Sequence, residues 1–307
     1  MANSPIMSSL PDYVEQRRLP LIAAAVLKGG SAKLFNLQTD VKTSAALNLL
    51  ATDVEFGDGS ACGWDEAGTS TISQRILETG QVKINQAFCE KNMLAYWTQY
   101  QVKIAAGEKE LPFEEDFING ILADVQAKLE KAIYQGDTDS VDENLNKFDG
   151  LLKIIAAAED ASHNPIYKTY VKTANDVAAN VLKAYMAIPE EALEGATILL
   201  GADDFREYVQ ALVAQNLYHY DPARPVDVVY IPGTNVAVRK VNGLNGTHKI
   251  IAGQLDKNFF FGCDMVNDSE KFDFWYSKDN REFRLAIEFN AGVQVAYPDM
   301  VVLGDAK

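Results

Sequence analysis

The sequence predicts an α+β fold, with helices in the middle of the chain and strands in its C-terminal part. Between residues 113 and 135, apolar side chains recur every three or four positions, which is typical of an amphipathic helix. From residue 227 onwards, short runs of alternating apolar residues are typical of half-buried strands. A regular alternation of strand, helix and strand is not recognisable, so a doubly wound α/β fold is not favoured.

Residues 1–50 are predicted to form an N-terminal arm. Pro11 opens a short polar helix, Pro20 interrupts it, and Leu21 to Leu27 forms an apolar helix that two glycines end. Segments this short need another surface to cover them. The arm carries five cations and three anions, for a charge of +2, whereas the rest of the chain sums to −17. A difference of that size is also expected by chance.

Residues 51–88 are predicted to form an extended loop. Val54 to Phe56 and Gln81 to Asn85 alternate, and they are predicted as its outgoing and returning strands around a polar tract. A loop with few large apolar residues buries little of its own surface, so those residues are predicted to contact a partner surface. They are Trp64, Ile72 and Ile76. The alternative is a flexible surface insertion.

Two helices are predicted after the loop. Glu90 to Gln101 is short and amphipathic, with its apolar residues on one face. Phe113 to Gln135 follows Pro112, carries acidic residues in its first turn and ends before Gly136. At 1.5 Å per residue the second helix is roughly 35 Å long, which suits a helix that braces a flat subunit.

The next segment is predicted to alternate between helices and a strand. The sequence from Thr173 to Asp176 resembles a capping box that opens one helix. Ala196 to Leu200 is a buried strand, and Asp203 or Asp204 caps the helix after it.

The C-terminal part is predicted to be a series of strands. A hairpin signal at Ser277 to Asn280 separates two of them. The predicted strands are Val228 to Ile231, Thr247 to Ala252, Asn258 to Cys263, Phe272 to Tyr276 and Phe283 to Phe289, with the alternation continuing to Tyr297.

Composition and charge exclude several classes of protein. The chain is 48% hydrophobic and 23% charged, which is ordinary for a globular protein and excludes wholesale disorder. It contains no run of eighteen apolar residues and begins without a secretory signal, so neither a membrane span nor secretion is expected. The net charge of −15 argues against binding nucleic acid by counterion release. Three cysteines without a CxxC motif suit a reducing compartment.

No catalytic, cofactor-binding or metal site is predicted. Phosphate-binding, dinucleotide-binding, nucleophile-elbow and zinc-protease motifs are all missing from the sequence. The acidic run that starts at Asp137 does not fit a calcium loop, because its fifth, sixth and twelfth positions are Val141, Asp142 and Phe148. A solvated acidic turn is the favoured interpretation. A pair of carboxylates in a cleft stays open as an alternative.

The order of these segments resembles the major capsid proteins of tailed bacteriophages, which have the Hong Kong 97-type fold. The resemblance extends from about residue 10 to residue 303, and its most family-like parts resemble capsid proteins of phages that infect Bacteroidota. The stretches that carry it are Lys131 to Asp137, Phe148 to Leu152, Ile188-Pro189, Ala196 to Leu200, Val241 to Thr247, Asn258 to Asp264 and Gly292 to Asp299.

The resemblance implies a division of the chain into the segments of that fold. They are an N-terminal arm (1–50), an extended loop (51–88), a spine helix with a peripheral domain (89–195), a mainly axial domain (196–290) and a return to the peripheral domain (291–307).

The resemblance also implies a structural function without catalysis or cofactors. The chain is expected to assemble into hexamers and pentamers of an icosahedral head. That head would enclose double-stranded DNA without sequence-specific binding. Portal, scaffolding or decoration proteins are expected partners, and the expected location is the virion capsid, assembled in the host cytoplasm without a membrane. The alternatives are an encapsulin-like nanocompartment shell and a soluble enzyme with an acidic site.

In the archetype of this family, a lysine of the extended loop forms an isopeptide bond with an asparagine of a neighbouring subunit. Residues 43–82 contain no lysine here, and Arg75 is their only cation. Arginine stays protonated and is a poor nucleophile, so a noncovalent shell is predicted. Arg75 is then expected to pair with an acid across a subunit boundary or to be a solvated charge.

Overall fold

The computed structural model describes residues 11–15, 17, 21, 26, 30–56, 68–105, 113–158, 166–167, 176–217, 227–264 and 272–307. The helices are α1 (Glu90–Ala105), α2 (Phe113–Gln135), α3 (Leu151–Ala157), α4 (Val177–Ala187), α5 (Glu190–Leu193), α6 (Ala202–Ala214) and α7 (Leu255–Asn258). The strands are β1 (Asn36–Thr39), β2 (Ser44–Asp53), β3 (Thr69–Glu78), β4 (Gly80–Cys89), β5 (Ile166–Tyr167), β6 (Ala196–Leu200) and β7 (Val228–Tyr230), followed by β8 (Ala237–Lys240), β9 (Lys249–Gln254), β10 (Phe259–Asp264), β11 (Phe272–Ser277), β12 (Glu282–Val295) and β13 (Val302–Asp305). The predicted α+β class is confirmed.

The longest helix, α2, has the bounds predicted from the sequence, and we keep the name spine helix for it. Its apolar stripe is buried in the larger of two hydrophobic cores. Complete burial of such a side chain stabilises the fold by about 1.5–3 kcal/mol. The stripe consists of Ile118, Leu122, Val125, Leu129 and Ile133. Among the described helices, none is both long enough and apolar enough to cross a membrane.

The larger core also contains one face of a five-stranded sheet. The strands lie in the order β1–β10–β12–β11, and β4 pairs with the other edge of β12. β12 therefore has neighbours on both sides, and its alternate residues are buried, as their period predicted. These residues are Phe283, Leu285, Ile287 and Phe289.

The second core lies between helices α4 and α6 and a six-stranded sheet. This sheet has the order β5–β13–β9–β6–β8–β7, so strands from distant parts of the chain are neighbours. The central strand β6 matches the predicted strand from Ala196 to Leu200.

Both predicted helix caps in this region need correction. Asp176 itself is the N-cap of α4, because its carboxylate accepts a hydrogen bond of 3.1 Å from the backbone N–H of Ala179. The predicted start at Thr173 lies outside the described residues. For α6 the N-cap is Gly201, and both predicted aspartates lie inside the first turn, where their charge complements the helix dipole.

Candidate subunit-interaction surface

Strands β2 and β3 form a two-stranded hairpin that differs from the predicted loop. The pairing runs from Ser44↔Glu78 to Asp53↔Thr69, so the hairpin begins earlier in the chain than expected. The predicted outgoing strand, Val54 to Phe56, lies beyond the end of β2. The predicted returning strand lies in β4, which pairs with β12. Alternation identifies a strand but not its partner, which explains the error.

The base of the hairpin is held firmly to the larger sheet. The backbone N–H of Val41, just before the hairpin, donates to the carbonyl oxygen of Cys263 in β10 at 3.2 Å. The side-chain amide of Asn290 donates to the carbonyl oxygen of Lys42 at 2.8 Å. At Gly292 a Cβ atom would lie 2.1 Å from the carbonyl oxygen of Glu78, so only glycine allows this approach.

The two faces of the hairpin have different surroundings. On the inner face, Leu47 and Leu77 are buried with Val41 in a small core. On the outer face, Leu50, Ile72 and Ile76 are 58%, 77% and 55% exposed. Two further exposed apolar residues follow β2. We call the group of Leu50, Val54, Phe56, Ile72 and Ile76 the hairpin patch; clustered exposed apolar residues of this kind are typical of interaction sites.

The predicted contact residues do not all lie on this patch. Ile72 and Ile76 project from the outer face, opposite Leu50 and Ala46. Arg75 points to the inner face opposite Leu47 and is half-buried, so it is not a fully solvated charge. Trp64 lies outside the described residues. Leu50 was missed, although Leu47, Leu49 and Leu50 lie in one apolar stretch that alternation could have assigned to a strand.

A cleft of about 540 Å³ lies between β4, α1 and the spine helix. Three of its lining side chains are aromatic, and the rings of Phe88 and Phe117 meet edge to face with centroids 5.2 Å apart. Tyr96 and Ile121 complete the apolar lining. The thiol of Cys89 belongs to the same lining, and it is exposed and free.

The acidic turn after the spine helix is organised by a lysine. The ammonium group of Lys153 lies 2.6 Å from Asp137, 2.9 Å from Asp139 and 2.9 Å from Asp149. Hydrogen bonds from Lys153 and from the Asp139 backbone lower the pKa of Asp137. Burial acts to raise the pKa of Asp149, but hydrogen bonds from Thr138 and Lys153 outweigh it and lower that pKa. The predicted solvated acidic turn is therefore an ion-pair network at the surface, in which Asp139 is 87% exposed.

Within the described ranges, no three His, Cys, Asp or Glu side chains are arranged to hold a metal ion. His248, the one histidine among the described residues, uses Nδ1 for a 2.9 Å contact with the buried carboxylate of Asp204. The surface feature that stands out among the described residues is the hairpin patch, which is apolar.

Comparison with solved structures identifies the fold. A chain of the satellite phage P4 procapsid, a structure that includes the size determination (Sid) protein, superposes with a TM-score of 0.63 and 11% identity, covering 94% of this chain and 92% of that one. A chain from the capsid of an empty GTA particle gives a TM-score of 0.56 at 13% identity, covering 91% and 89%. A chain of the virus-like particle from Pyrococcus furiosus gives 0.51 at 8% identity, covering 94% and 97%.

No protein-family model matches the sequence, and no curated protein is similar to it. The likeness is therefore one of structure at low identity, and it establishes the fold. The expected Hong Kong 97-type capsid fold is confirmed.

Proposed function

We propose that this protein is the major capsid protein of a tailed phage, which assembles into an icosahedral head shell around double-stranded DNA. The observation that carries the proposal is the capsid fold over more than nine-tenths of the chain. The hairpin patch supports it, because a subunit of a closed shell needs apolar surface that only its neighbours cover. No enzymatic activity is part of this proposal.

The charge of the protein suits a container for DNA. With a net charge of −15, most of the subunit repels the phosphate backbone, so enclosed DNA does not bind tightly to the wall. Enclosure of the DNA without sequence-specific binding is part of the proposal. So are hexamers and pentamers, the division into arm, loop, peripheral and axial segments, assembly in the host cytoplasm, and the partners expected from the resemblance.

Within the shell, the hairpin patch of one subunit is proposed to dock into the aromatic cleft of the next. The patch is apolar, the cleft is lined in part by aromatic side chains, and both are exposed in the part of the chain that the structure describes. The hairpin is held rigidly at its base, so it presents the patch in a fixed direction. Arg75, on the inner face, is proposed to pair with an acid across a subunit boundary.

The free thiol in the cleft gives a direct test of this docking. In particles of Ile72→Cys, mild oxidation should join the new thiol to Cys89 of a neighbouring subunit, which gives a ladder of multimers on a non-reducing gel. The matched control, Ile72→Cys with Cys89→Ser, should give monomers. Monomers from both variants, in particles of normal shape, would contradict docking at this cleft.

Electron microscopy of the purified protein tests the function itself. We expect shells of uniform size, or capsomers that convert to shells. A small soluble oligomer under all conditions would contradict the proposal and favour the enzyme alternative. The contents of the shells distinguish a phage head from an encapsulin-like compartment. In shells isolated from an infected host, packaged DNA supports the phage head, and a protein cargo supports the compartment.

The shell is expected to be noncovalent, because the only cation from residue 43 to residue 82 is Arg75, whose guanidinium does not act as an amine nucleophile. After boiling with reductant, mature particles should give a single band at 33.8 kDa. A ladder of larger species that survives this treatment would contradict the expectation.

A further inference from the structure

A buried polar cluster joins the N-terminal segment to the spine helix. The carboxylate of Glu130 accepts a 3.0 Å hydrogen bond from the backbone N–H of Ser31, and the Ser31 hydroxyl contacts the other carboxylate oxygen. The same hydroxyl lies 2.7 Å from the hydroxyl of Tyr134. Ser31 and Tyr134 are fully buried, and Glu130 is 7% exposed.

Aromatic and backbone groups pack closely around this cluster. The ring of Phe35 meets that of Tyr134 at an angle of 65°, with the centroids 6.4 Å apart. At Gly243 a Cβ atom would lie 2.2 Å from the Tyr134 ring and 2.4 Å from the carbonyl oxygen of Glu130, so the chain packs directly onto this part of the helix. An ionised carboxylate here has lost nearly all of its hydration.

A cavity of about 370 Å³ adjoins the carboxylate and contains the other charged groups that face it. Lys240 and Asp227 neutralise each other across 2.5 Å. Arg239 also lines the cavity, and its Nε is buried without a hydrogen-bond partner in the described part of the chain. Arg239 and Glu130 thus line the same cavity, and Arg239 is the cation that we expect to attract an ionised Glu130.

We propose that Ser31, Glu130 and Tyr134 form an acid-stabilised latch that holds the N-terminal segment on the spine helix and loosens as the pH rises. With Glu130 protonated, its hydroxyl can donate to Ser31 while its other oxygen still accepts from the Ser31 N–H. The closed latch then buries no charge. With Glu130 ionised, the closed latch buries a carboxylate, whereas opening returns water to it and leaves Arg239 nearby.

The sign of the pH dependence follows from the environment of Glu130. Burial raises its pKa, and the hydrogen bonds from Ser31 oppose this shift without cancelling it. The closed latch therefore binds its proton more tightly than the open one. Its stability is complete below the ordinary pKa of glutamate, about 4.3, and is lost as the pH rises through the raised value. In that interval each pH unit should favour opening by about tenfold.

Hydrogen exchange on the full-length chain tests the latch. The exchange rates are first corrected for their intrinsic dependence on pH. The backbone amides around Ser31 should then lose protection against exchange between pH 5 and pH 8.5, whereas those of the buried strand β6 should not. Glu130→Gln, which keeps the shape without the charge, should be protected equally at both pH values. Arg239→Gln should move the loss of protection to higher pH, because the ionised form has lost its nearby cation.

The wild-type profile is decisive even if Glu130→Gln fails to fold. A flat profile across the pH range would overturn the latch, as would a loss of protection in Glu130→Gln equal to that in the wild type. An unmoved profile in Arg239→Gln would overturn the role of Arg239. The inference does not depend on the proposed function, since exchange is measured on the unassembled subunit.

Discussion

The hairpin β2–β3 and the strand pair β4–β12 have the same antiparallel hydrogen-bonding pattern but different surroundings. β2, β3 and β4 are each ten residues long, and both pairs are antiparallel. Alternate residues of β12 are buried in the same core as the spine helix, whereas the apolar residues on the outer face of the hairpin are exposed in the part of the chain that the structure describes. The comparison teaches that one part of the sheet structure stabilises the subunit, while the other is available for contacts between subunits.

Replacing Val125 by Asp should have the largest effect on folding. Val125 is buried in the larger core, so the aspartate would place a charge there. A buried, unpaired carboxylate costs several kcal/mol, on the order of 3–5. Urea denaturation monitored by circular dichroism measures the free energy of unfolding. Ala123→Asp, on the exposed side of the same helix, is the control and should change it by about 0.5 kcal/mol or less. Ile121→Asp, at a half-buried position, should lower the free energy of unfolding by an intermediate amount. Equal stability of the Val125 and Ala123 variants would mean that the buried face is misassigned.

Replacing Gly292 by Ala should have the next largest effect, because it acts where the two regions join. The new Cβ collides with the backbone of Glu78, and overpacking of this kind costs about 1–3 kcal/mol. Thermal unfolding should show the loss. Gly120→Ala is the control: its Cβ would have nothing within 4 Å, so alanine should stabilise the helix by about 0.5–1 kcal/mol. A stabilised Gly292 variant would show that the hairpin is not held in this way.

Replacing Lys153 by Met should lower stability slightly and in a pH-dependent manner. The lowered pKa values of Asp137 and Asp149 mean that their contribution is present above the ordinary pKa of aspartate, about 3.9, and is lost as the pH falls through the lowered values. The difference in urea midpoint between wild type and variant should therefore be larger at pH 7 than at pH 3. Lys147→Met, in the same turn, should show no such trend. A difference that grows on acidification would contradict the assigned ion pairs.

Replacing Ile72 by Glu should have the smallest effect on folding and a large effect on assembly. The side chain is exposed in the subunit, so the free energy of unfolding should change by about 0.5 kcal/mol or less. In a shell the same charge would be buried, so particle yield in sedimentation and electron microscopy should fall strongly. Thr71→Glu places the same charge on the other face of the strand. Its particle yield should be closer to that of the wild type than the yield of Ile72→Glu. Normal assembly of Ile72→Glu would remove the hairpin patch from the interface.

The sequence determined the local structure wherever one period dominated. The 3.6-residue period gave the bounds of the spine helix, and the two-residue period of Phe283 to Phe289 gave a buried strand, because periodicity reports which side of an element is apolar. The same period in Gln81 to Asn85 marked a strand correctly but assigned it to the wrong pair. The order of segments was also enough to indicate the capsid fold.

Only the tertiary structure decided which surfaces were covered. Leu47 and Leu50 are the same residue type in one strand, yet one is buried and the other exposed, because a strand directs successive side chains to opposite faces and the partner sets which face is covered. The buried Ser31–Glu130 contact joins residues 99 positions apart, and the three aspartates around Lys153 meet through a turn. Contacts between distant residues leave no period in the sequence, so folding alone brings these groups together.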